Sequence, residues 1–128
     1  MLFDKTNTRV YVVSTGNSLK PEKAVLKELP RYFSDRIPAA KSDRRLNELL
    51  CMGLLLSRVM NELSIDRGAE ITVNDCGKPF FKDYSGVHFN FSHSANRLML
   101  AVSSTEIGCD TERNRPVDLK IARRYFAE

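Results

Sequence analysis

The sequence contains no tryptophan, no tract of basic residues and no apolar stretch long enough to cross a bilayer. No membrane-spanning helix is expected within these residues, and no membrane partner is expected. Twenty Lys and Arg against 16 Asp and Glu leave a formal net charge of +4 and a pI near 9.1, which favours acidic partners. Those basic residues are scattered and do not alternate with aromatics, so the footprint of a nucleic-acid binder is absent and no nucleic acid is expected either. A phosphate-rich small molecule or an acidic protein fits the charge better. Cysteine is also scarce. Cys51, Cys76 and Cys109 are odd in number and unrelated in spacing, which argues against a disulfide framework and a zinc knuckle. Met1-Leu2-Phe3-Asp4 begins no signal peptide, and the expected location is a reducing cytoplasm.

The chain is 128 residues long, which makes one domain or part of one, with 42% hydrophobic and 28% charged residues as in ordinary globular proteins. It shows no internal repeat, low-complexity segment or flexible linker. Arg9–Ser14 is β-branched and apolar and reads as a buried strand. Pro21 opens a short helix to about Leu29, Pro30–Phe33 adds a turn, and Pro38 interrupts before the main helix. Ser42 or Asp43 can cap that helix, which runs to about Leu63 with Leu46, Leu49, Leu50, Leu54 and Met60 near helical spacing. Leu54-Leu55-Leu56 widens the stripe and predicts burial on more than one side. Beyond Gly68 the period becomes two. Glu70–Asn74, Pro79–Phe81, Val87–Phe91, Leu98–Ser103 and Ile107–Glu112 read as strands of an antiparallel meander separated by turns. The expected fold class is α+β, a short antiparallel sheet packed against one long helix and a shorter one.

Chemistry-bearing residues concentrate in Val87–Glu112. Residues two apart on a strand share a face, so the carboxylates of Asp110 and Glu112 are expected to project together. Paired carboxylates repel unless a cation or a shared proton lies between them. A hard divalent ion held by one or two carboxylates and substrate phosphates is the usual magnesium arrangement. Asn90, Ser92, His93 and Ser94 form a second polar cluster. A Ser–His–Asp triad is excluded, because His93 and its serine neighbours point to opposite faces of one strand. Phe80, Phe81, Phe89 and Phe91 read as core or sheet-face packing, and Cys109 as a small buried apolar residue, not a nucleophile.

Gly77-Lys78-Pro79, Asn90-Phe91-Ser92-His93-Ser94 and Ile107-Gly108-Cys109-Asp110-Thr111-Glu112 occur in that order. In order and spacing they resemble the 4'-phosphopantetheinyl transferases of the large, surfactin-synthetase-activating type. The tail through Tyr125-Phe126 is similar to the family's next segment, a short helix ending in an aromatic pair. The resemblance implies a Mg²⁺-dependent enzyme that moves 4'-phosphopantetheine from coenzyme A to a serine of an acyl or peptidyl carrier protein. It assigns Asp110 and Glu112 as catalytic metal ligands. It places Lys78 at the nucleotide end of coenzyme A with Pro79 fixing the chain there, Ser92 and His93 on the phosphates, and Arg44 or Arg45 at the 3'-phosphate.

Large-type members of this family have two similar halves with coenzyme A between them, and a Lys-Glu-Ala helix in the second. The present sequence contains no Lys-Glu-Ala. Residues 1–105 are therefore expected to form the first half, and 106–128 the opening strand and helix of a second. The isolated chain is expected to be impaired unless a second copy covers the open face. The alternative is a non-catalytic module that binds coenzyme A or a carrier protein.

Overall fold

The computed structural model describes residues 7–16 and 20–112. Strand β1 (Thr8–Ser14) is followed by two short helices, α1 (Lys23–Glu28) and α2 (Arg31–Ser34), and a single 3-10 turn at Ile37–Ala39. Helix α3 (Asp43–Glu62) is the longest element among the described residues, and strands β2 (Ile71–Val73), β3 (Pro79–Phe81), β4 (His88–Ser94) and β5 (Arg97–Ser103) follow it. Mixed helices and small antiparallel sheets make this an α+β arrangement.

Helix α3 begins where its cap predicts. Ser42 is extended (φ −148°, ψ 158°), and its hydroxyl accepts the backbone N–H of Arg45 at 3.1 Å, satisfying one donor of the first turn. Asp43 adds a negative charge where the helix dipole favours it. Leu49, Leu50, Leu56, Val59 and Met60 of this helix are buried, joined by Gly53, which lets α1 and α2 approach closely. Phe33, fully buried, meets Phe91 edge-on at 5.9 Å, and Phe91, Phe89 and Phe81 continue the aromatic run across the β-layer at 5.9 and 4.9 Å.

The strands form two sheets instead of a single meander. One has the order β1–β5–β4, with Tyr11, Leu100 and Phe91 level across it; the other pairs β2 with β3. Strand β1 pairs antiparallel with β5, Thr8 facing Ser103 at a separation of 95 positions. Only alternate residues of β1 are half-buried, and Val10 and Val12 on its other face are 58% and 50% exposed. That corrects the reading of Arg9–Ser14 as a buried strand. Phe80 departs likewise: it is 38% exposed, while Phe81 and Phe89 are core.

Ile107–Glu112 again corrects the sequence reading, since it is not a strand. Side chains of β4 occupy its backbone donors in place of a ladder. The N–H of Cys109 reaches Asn90 Oδ1 at 3.2 Å and that of Thr111 reaches Ser92 Oγ at 3.0 Å. The alternation survives nonetheless: Ile107, Cys109 and Thr111 are half-buried, while Gly108, Asp110 and Glu112 are exposed. The expected helix of the tail and most of the proposed 106–128 segment lie outside the described residues.

Candidate functional site

The turn between β2 and β3 positions the first site residue. Asn74 Oδ1 accepts the backbone N–H groups of both Cys76 and Lys78 at 2.9 Å, and Gly77 takes φ +79°, a conformation that side chains resist. Lys78 leaves this turn at a fixed angle, with Pro79 starting β3. Its ammonium donates to the carbonyl of Ile107 at 2.6 Å, tying the turn to the segment that carries Asp110.

Lys78 and Pro79 border a cleft of about 340 Å³ between α2, α3 and β4. Phe33, Leu49 and Phe91 supply apolar lining, and Arg36, Arg45, Lys78 and His93 bring four potentially cationic groups to it. Arg36 was not foreseen. Its guanidinium lies 3.5 Å from the centroid of the Tyr32 ring and donates to the Tyr32 carbonyl at 2.8 Å. Its spacing of four from Tyr32 was the only signal in the sequence.

Glu48 was also missed. Its side chain is only 8% exposed and has three basic neighbours: Arg44 Nε at 3.4 Å, Arg45 at 3.4 Å and His93 Nδ1 at 3.5 Å. Only the spacing of Arg44, Arg45 and Glu48 on one helix face was available as a signal. Arg44 is not at the cleft. It borders a separate groove with Thr15, Asn47 and Asn96, so of the two arginines put forward for the 3'-phosphate only Arg45 lies beside Lys78 and His93.

Ser92 and His93 diverge, as neighbours on a strand must. His93 turns toward α3, whereas the Ser92 hydroxyl donates to Asp110 Oδ1 at 3.3 Å. The predicted residues therefore fall into two groups: Arg45, Lys78, Pro79 and His93 at the cleft, and Ser92, Asp110 and Glu112 along the bridged segment. Asp110 and Glu112 are both exposed at alternating positions. Among the described residues no three His, Cys, Asp or Glu side chains gather as a metal cluster. The donor set is two carboxylates, which suits a hard cation that takes its remaining oxygens from substrate and water. Burial pushes the Cys109 thiol above its ordinary value, and the sulfur lies 3.3 Å from the Asn90 carbonyl. It is a poor nucleophile there.

No family model matches the chain. Curated proteins do. Over 76 residues it is 33% identical to 4'-phosphopantetheinyl transferase Sfp of Bacillus subtilis strain 168, a stretch covering 59% of this chain and 34% of that protein. Over 55 residues it is 44% identical to 4'-phosphopantetheinyl transferase gsp of Aneurinibacillus migulanus, covering 43% and 22%. Over 66 residues it is 38% identical to 4'-phosphopantetheinyl transferase AcpT of Salmonella typhi, covering 51% and 32%. The chain thus spans about a third or less of the length of the curated relatives it matches. Over these stretches the chain is similar to 4'-phosphopantetheinyl transferases of the Sfp-like superfamily.

Proposed function

We propose that the chain takes part in the transfer of 4'-phosphopantetheine from coenzyme A to a serine of an acyl or peptidyl carrier protein. The observation that carries this reading is the cleft where Arg36, Arg45, Lys78 and His93 meet above an apolar lining. Coenzyme A offers a planar base, a 3'-phosphate and a pyrophosphate, and anions of that density need several cations at once. The carrier serine oxygen attacks the β-phosphorus in line and adenosine 3',5'-bisphosphate leaves. The serine proton is released, and catalysis is chiefly positioning and charge neutralisation.

In this reading Lys78 and Arg45 bind phosphate oxygens from two sides of the cleft, and His93 donates to a third position when protonated. Pro79 holds Lys78 at the start of β3. Ser92 keeps the Asp110 carboxylate turned along the bridged segment. Asp110 and Glu112 would hold Mg²⁺, which when bound neutralises charge on the pyrophosphate. Residues 1–105 act as the first half of the enzyme and 106–128 open the second, in a cytoplasmic protein. Val10 and Val12 offer apolar surface for a second copy of the chain.

Intact-mass detection of phosphopantetheine on an apo carrier protein, with this chain, coenzyme A and Mg²⁺, tests the proposal. An adduct lost in Asp110→Ala supports transfer. Binding of coenzyme A without an adduct favours a non-catalytic module, and absence of both contradicts the proposal.

A further inference from the structure

Glu48 is a buried carboxylate that the reaction outlined above does not use. It sits on the face of α3 that meets the end of β4, with one oxygen 3.4 Å from Arg44 Nε and 3.5 Å from His93 Nδ1, and the other 3.4 Å from Arg45. Its side chain is 8% exposed, whereas those of Arg44, Arg45 and His93 are 70%, 47% and 42% exposed. The carboxylate is therefore the buried partner, and the two guanidinium groups and the imidazole around it are the exposed ones. Two of the three, Arg45 and His93, border the cleft.

The two ring nitrogens of an imidazole lie on opposite sides of the ring. With Nδ1 turned to Glu48, Nε2 is directed away from that carboxylate. A carboxylate on one nitrogen fixes the ring orientation and favours the proton at Nδ1, so that protonation makes Nε2 a donor to an incoming anion. Arg45 approaches Glu48 through one terminal nitrogen and retains its other donors. Holding both side chains before the ligand arrives removes part of the ordering cost of binding.

We propose that Glu48 is a positioning residue for phosphate binding: it orients His93, and with it Arg45, so that their free donors serve one phosphate group in the cleft. This inference rests on the reading of the cleft as a coenzyme A site. It adds a residue that touches no substrate atom and acts through His93.

The test is a double-mutant cycle on the 128-residue chain, with adenosine 3',5'-bisphosphate as probe and adenosine as its phosphate-free control. Glu48→Gln keeps the size of the side chain and removes its charge. It is expected to weaken bisphosphate binding about tenfold, in line with the loss of an outer carboxylate that orients a histidine. Adenosine binding should be unchanged. In a His93→Gln background the Glu48→Gln effect should shrink to less than about threefold, because its main route is gone. An equal effect in both backgrounds, or an equal loss for adenosine, overturns the inference.

Nitrogen-15 NMR of the His93 ring in the wild-type chain provides a readout that needs no substitution. Bisphosphate should shift Nε2 more than Nδ1, and the reverse order overturns the proposal even if Glu48→Gln fails to fold. If the wild-type chain binds coenzyme A but Glu48→Gln matches it, this inference alone fails. If the wild-type chain binds neither coenzyme A nor bisphosphate, the reading of the cleft fails with it.

Discussion

Gly53→Ala tests whether the helix contact that carries one wall of the cleft is as tight as it looks. A methyl group placed on Gly53 would lie 2.7 Å from Leu29 Cδ2, 3.1 Å from Phe33 Cβ and 3.3 Å from Phe33 Cγ. In the middle of a solvated helix the substitution would stabilise by about 1 kcal/mol through propensity. Here Leu29 must leave its rotamer, at about 0.5–1.5 kcal/mol, and its end is flexible enough to do so. Phe33 has no such freedom, because the contact is at its Cβ and its ring is fully buried against Phe91. Overpacking of this kind costs roughly 1–3 kcal/mol, which outweighs the propensity gain. We expect a net destabilisation of about 1 kcal/mol. With a urea slope of roughly 2 kcal/mol/M, the unfolding midpoint should fall by about 0.5 M. Because α2 carries Tyr32 and Arg36 follows two residues after its end, the backbone amide signals of both residues should move. A midpoint that rises by the full propensity gain, with those signals unchanged, would refute the packing argument.

Phe33→Ala, which removes a fully buried ring, should cost about 3–5 kcal/mol in denaturant unfolding. Ser42→Ala, which removes the cap of α3, should cost about 1 kcal/mol by the same measurement. Cys76 is exposed, whereas burial raises the Cys51 thiol above its ordinary value of 9.0 and raises Cys109 as well. A thiol reagent at pH 8 should therefore label Cys76 first, and earlier labelling of Cys51 or Cys109 would contradict their placement. The sign of the linkage follows from the raised thiol values. Below the unfolded thiol value both states are protonated and stability is unaffected. Above it the unfolded chain ionises first, so stability should fall as pH rises past about 9, and unfolding midpoints between pH 7 and 10 check this.

The local elements were readable where one residue type decides the backbone. Ser42 or Asp43 marked the start of α3, Ser42 being the one that caps it, and the Asn74–Gly77 turn marked where Lys78 would emerge. The partner of β1 was not readable, since nothing local links Thr8 to Ser103 and pairing over that distance is settled by the sheet as a whole. Period-two burial at 107–112 was legible, but hydrogen bonding was not. Asn90 and Ser92 occupy the donors that a ladder would have used, and only their position on β4 reveals it. At the cleft, Lys78 and His93 were visible through short motifs. Arg36 and Glu48 were not, because their roles depend on a ring stacked in α2 and a carboxylate enclosed between α3 and β4. A glutamate one residue before Leu49-Leu50 reads equally well as a solvated helix position.

The central claim is that the cleft of Arg36, Arg45, Lys78 and His93 receives the phosphates of coenzyme A. Titrating coenzyme A into the isotope-labelled 128-residue chain and mapping the amide and side-chain signals that shift tests it most directly. The account predicts saturable shifts at Lys78, Arg45 and His93, weakened at least tenfold by Lys78→Met through loss of a charge-assisted contact. Shifts confined to surfaces away from these residues, or no shifts at millimolar coenzyme A, would contradict it.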